Sequence, residues 1–92
     1  MQNFPSVEAG QVVLMWSDFN TGHILDISFI LATKSSQKVF VIFNDIESAL
    51  EYAKKNLMQK EEVESTIFDS KGNMLYFFRS IEDFKNKIEK SA

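Results

Sequence analysis

His23 is the only histidine of the chain, and Asp18 and Asp26 stand close on either side of it. An imidazole and carboxylates brought together across a hairpin form a general acid–base group, although this spacing does not by itself require them to meet. A nucleophilic triad or a histidine-based metal site needs further partners. The chain offers no second histidine, no cysteine, no GxSxG and no HExxH. The turn Asp69-Ser70-Lys71-Gly72-Asn73 shares residue types with a calcium loop, but it lacks the remaining oxygen ligands and the bidentate glutamate at the twelfth position. Gly22 and Gly72 stand alone, so no glycine-rich loop is available to cradle a phosphate. Tyr76, Phe77 and Phe78 beside Arg79 are types that stack bases on RNA-binding sheets. Their setting is acidic, with 13 Asp and Glu against 10 Lys and Arg and a net charge of −3, and the lysines form no basic stripe. Core packing is therefore the expected use of these aromatics. The sequence leads us to expect no catalytic residue, no cofactor, no metal and no nucleic-acid partner, and hence no enzyme.

Any functional surface must be positioned by elements that the apolar pattern lays out. Residues 1–10, with Pro5 and Gly10, read as a loose N-terminal arm with Phe4 and Val7 as tethers. Residues 12–16 form a first apolar strand. Residues 24–32 alternate, with Leu25, Ile27, Phe29 and Leu31 on one face and Asp26 and Ser28 on the other, and predict a half-buried second strand. Residues 38–43 predict a third. Asn44 is the expected N-cap of a helix, with Glu47 closing a capping box, while Ile46, Ala49, Leu50, Ala53 and Leu57 line one helical face. A fourth strand, residues 63–69, would run parallel to the third through a right-handed crossover if both join one sheet. Asp69-Ser70-Lys71-Gly72 predicts a hairpin turn with Gly72 in the left-handed region, leading into a fifth strand at residues 74–79. Ser80 then caps a final helix whose apolar stripe, Ile81, Phe84 and Ile88, is thin enough to make it the least stable element.

The expected fold class is α+β in two layers: element order βββαββα, a five-stranded mostly antiparallel (mixed) sheet, and helices chiefly on one face. Ninety-two residues make a single domain spanning residues 1–92. With 45% hydrophobic and 25% charged residues, the composition is globular rather than disordered. The absence of cysteine excludes a disulfide-stapled secreted scaffold, and neither a secretory leader nor a membrane-spanning run is apparent, so the cytoplasm is the expected setting.

Strands one, three and five are apolar on both sides, and two short helices cover little more than one face of a sheet roughly 24 Å wide. Something else must shield the other face: the arm, the last helix, a ligand or a second copy. The candidate interface residues are Trp16, Phe40, Ile42, Met74, Tyr76 and Phe78. The expected function is a non-catalytic interaction or regulatory domain that homodimerises through apolar sheet surface. Two alternatives are an acidic inhibitor or immunity-type protein that captures a basic enzyme, and a module binding a small apolar ligand.

Overall fold

The apolar run of residues 12–16, extended by Ser17 and Asp18, forms the central strand β1 (Val12–Asp18), and both of its edges are hydrogen-bonded. The computed structural model describes residues 4–90, so residues 1–3 of the expected arm lie outside the described residues. In chain order the other elements are β2 (Ile24–Leu25), β3 (Phe40–Phe43), α1 (Ile46–Gln59), β4 (Val63–Phe68), β5 (Met74–Phe78) and α2 (Ile81–Phe84). A π-helical turn, Lys85–Glu89, follows α2.

One edge of β1 is shared in tandem. Residues 12–15 pair with β3, while Trp16 and Ser17 pair with Leu25 and Ile24 of β2. The other edge pairs with β4, and β5 lies outside β4. All four ladders are antiparallel, so the fold is the expected α+β sheet without a parallel neighbour. β3 and β4 run in the same direction but with β1 between them, and the connection through α1 therefore passes over one strand.

Alternate residues of β1 serve two layers. Val12, Leu14 and Trp16 join Val63, Ile67 and Phe78 beneath Ala49, Ala53 and Leu57 of α1 and Phe84 of α2. Ala49 and Ala53 are fully buried and small, which lets α1 lie close to the strands. Ser65, opposite Trp16 in the register, leaves room in the same way for the indole. Both helices thus cover one face, and the Lys54–Glu89 ion pair ties α1 to the terminal turn.

Two local expectations are corrected. The helix cap is Asp45 rather than Asn44: its Oδ1 accepts the Ser48 N–H at 2.7 Å, whereas Asn44 Oδ1 accepts from the Gln11 amide at 3.0 Å. The second strand is only two residues long. After Leu25, the Asp26 carboxylate accepts the Ser28 and Ile30 N–H groups at 2.8 and 3.0 Å, and Phe29 turns into the left-handed region at φ 65°. A carboxylate that satisfies two amides of its own loop competes with the ladder and wins here.

The 69–73 turn forms as its residue types demand. Asp69 Oδ1 accepts the Lys71 and Asn73 N–H groups at 2.9 Å each, Gly72 has φ 86°, and Leu75 is the extra residue of a bulge, because Ile67 pairs with Tyr76 but Phe68 with Met74. A Cβ at Gly72 would meet the Phe4 ring only at ordinary contact distance, 3.9 Å, so the cost of adding one is conformational. Gly72→Ala is expected to lower stability by about 1 kcal/mol in a denaturant melt; an unchanged midpoint would show that the left-handed backbone is not required.

Candidate functional site

The acid–base group considered from the sequence is not assembled. Asp18 Oδ1 accepts the Asn20 and Thr21 N–H groups, and Asp26 is engaged with Ser28, Ile30 and Gln37. His23 is exposed in the hairpin, its backbone N–H donating to Thr21 Oγ1 at 3.2 Å. No hydrogen bond or ion pair joins its ring to either carboxylate among the described residues. Nor do any three histidine, cysteine, aspartate or glutamate side chains among them group as a metal site.

Every aspartate of the chain instead accepts a backbone N–H. Asp45 caps α1, Asp69 closes its turn, and Asp83 Oδ2 accepts the Arg79 N–H at 3.0 Å and the Lys87 ammonium at 3.1 Å. Four of these carboxyls are held below the ordinary carboxylate range. The causes are the Gln37 amide for Asp26, the Ser48 N–H for Asp45, the Asn73 N–H for Asp69 and the Arg79 N–H for Asp83.

The candidate interface residues divide between the two faces of the sheet. Trp16 and Phe78 are fully buried in the layer under the helices, and Tyr76 stacks on Phe78 in that layer with ring centroids 5.6 Å apart. Those three belong to the core. Phe40, Ile42 and Met74 point the other way. On this back face two cross-strand rows run across the sheet, Ile42–Val13–Phe68–Met74 and Phe40–Met15–Thr66–Phe77. Beyond them the face turns polar, where Glu64 meets the Ser17 hydroxyl at 3.4 Å and the Arg79 guanidinium at 3.9 Å.

Phe4, a tether in the arm that the sequence offers among the candidate shields of this face, packs over these rows. Its ring packs edge-on against Phe40 at 5.8 Å and Phe68 at 5.5 Å. Because Phe40 and Phe68 lie on strands flanking β1, a ring touching both spans the central strand, and Val13 beneath is fully buried. Residues 4–11 are thus held against the sheet, with the Glu8 N–H donating to Gln11 Oε1 at 2.8 Å. Around Phe4 the face stays open: Met74 is 62% exposed, Ile42 45% and Leu75, in the bulge, 43%.

A second concavity of about 590 Å³ opens where the edge of β1 changes partner from β3 to β2, with Ile24, Leu31, Val39 and Phe40 among its walls and His23 and Lys34 also lining it. No protein-family model, curated protein or solved structure matches the chain.

The lowered aspartates carry a pH dependence. A carboxyl whose folded pKa lies below its unfolded value of roughly 3.9 stabilises the fold above that pH and loses the contribution as pH falls through the folded value. The melting temperature is expected to fall as pH drops from about 5 to about 2, and to fall less steeply in Asp26→Asn, which has one such group fewer. A melting temperature that is flat or rising on acidification would contradict this assignment.

Proposed function

We propose that this chain is a non-catalytic protein-interaction domain that pairs with a second copy of itself through the back face of its sheet. The observation that carries the reading is the open apolar surface around Phe4, where Ile42 and Met74, the ends of one cross-strand row, and Leu75 of the bulge stay substantially exposed. Contiguous exposed apolar surface beyond a few hundred Å² is uncommon on a monomer and marks interaction sites. The molecule measures 41 × 32 × 18 Å, a slab one sheet and one helix layer thick. Its broad face has room for a standard interface of about 800 Å² per partner.

Two features favour a second copy meeting this face. The two rows hold no charged residue, so pressing them against their own image desolvates no ion, as a two-fold self-complementary contact needs. The β5 edge of the sheet is guarded: β5 carries the Leu75 bulge, and the Lys87 ammonium donates to the Phe77 carbonyl oxygen at 2.7 Å. Bulges and lysines at an edge oppose strand-to-strand pairing there, which favours association through the face. We assign the protein to the cytoplasm, since a domain of this size without cysteine relies on its core rather than on disulfides. No helix among the described residues is long and apolar enough to cross a membrane.

Light scattering at micromolar concentration is expected to give twice the chain mass. Ile42→Glu and Met74→Glu, both at exposed positions that leave the core intact, should weaken association at least about tenfold, or 1.4 kcal/mol, with an unchanged circular dichroism spectrum. A wild-type monomer at every accessible concentration would overturn the proposal.

A further inference from the structure

We infer that the concavity between β2 and β3 is a binding site for a small anionic amphiphile, a free monocarboxylate with an apolar body. Its origin is topological. The edge of β1 is taken by β3 up to Met15 and by β2 from Trp16 onward, and the connection between them, closed at its base by the Ile27 N–H donating to the Lys38 carbonyl oxygen at 2.9 Å, borders a hollow at the fork. Its volume of about 590 Å³ falls within the roughly 300–1,000 Å³ typical of small-molecule sites. Val39, almost fully buried, and Phe40 line it on one side, Ile24 and Leu31 on the other.

The wall is pre-organised by one side chain. Gln37 Oε1 accepts the Thr33 and Lys34 N–H groups at 2.7 and 2.8 Å, while its Nε2 donates to Asp26 Oδ2 at 2.7 Å and to the Leu31 carbonyl oxygen at 2.9 Å. The Ala32 N–H donates to the Ile24 carbonyl oxygen at 3.0 Å, closing the wall onto β2. The same loop holds Phe29 at positive φ, its ring 5.1 Å from that of Trp16 and 4.9 Å from the Lys60 ammonium. A non-glycine residue kept in that region is strain that the surrounding contacts maintain. A hollow held open in this way binds without first having to order its walls.

Charge selects the ligand. Lys34 and His23 line the hollow, and none of its lining residues is a carboxylate, although the chain as a whole is acidic. The Lys34 ammonium forms no ion pair among the described residues. An apolar body thus fills the space between Ile24, Leu31, Val39 and Phe40 while its carboxylate meets the ammonium, with the imidazole N–H as a further donor.

Octanoate and octan-1-ol, which share an apolar chain and differ in charge, test the site by amide-shift titration of the full chain. Octanoate is expected to shift residues 22–24, 31–35 and 39–40 at one-to-one stoichiometry and to bind about fivefold more tightly than octanol, the size of a partly exposed ion pair. Lys34→Glu should remove that preference and leave octanol binding unchanged, and Ala32→Trp, at a half-buried lining position, should weaken both ligands. Equal binding of the two, shifts centred on Ile42 and Met74 instead of the hollow, or no binding to wild type would each overturn the inference.

Discussion

Because β1 is hydrogen-bonded along both edges, its backbone is satisfied by neighbours, and its side chains must be covered on two faces at once. On one face Val12, Leu14 and Trp16 lie under α1 and its neighbours, each full burial contributing about 1.5–3 kcal/mol. On the other, the Phe4 ring lies over Val13, reaching from Phe40 to Phe68. The unequal cover follows from the connectivity. Both helices return over the same side, and residues 4–11 are too short to roof the opposite one.

The aspartates of this acidic chain are engaged in local backbone structure. Asp18, Asp26, Asp45, Asp69 and Asp83 each accept a backbone N–H at a turn or helix end, where a short side chain bearing two acceptor oxygens does what a further turn of regular structure would do. Asp26, Asp45, Asp69 and Asp83, held below the ordinary carboxylate range by these bonds, stay ionised at neutral pH. They also make the loops rigid. Asp26, held through Gln37 to the Lys34 segment, joins the end of β2 to the wall of the hollow, so one side-chain network sets both the short second strand and the concavity beside it.

The sequence shows much of the fold where local chemistry and periodicity agree. The helical stripe from Ile46 to Leu57, the glycine-dependent turn at Gly72 and the apolar run of β1 each have one satisfactory local solution, and the structure adopts it. The alternation in residues 24–32 misleads because it satisfies a strand pattern while Asp26-Ile27-Ser28 also spells a side-chain-capped turn. Asp26 followed two residues later by serine, with the amide of Gln37 within reach, is the signal that distinguishes the two. The interface residues are half legible. Period-two patterning shows that β3 and β5 have two apolar faces but not which face receives the helices, so the sequence alone does not separate Trp16, Tyr76 and Phe78 from Phe40, Ile42 and Met74. Contacts distant in sequence, such as Phe4 on Phe68, leave no local pattern at all.

The four methionines allow the central claim, that the back face is where a second copy docks, to be tested at single-residue resolution. Met15 and Met74 sit on that face, while Met58, 63% exposed, lies on the outer side of α1. In methyl spectra of methionine-labelled protein across a wide dilution series, the Met74 and Met15 resonances should move with concentration while that of Met58 stays fixed. Methyl resonances that ignore concentration throughout, or a Met58 signal that moves while Met74 does not, would contradict the account.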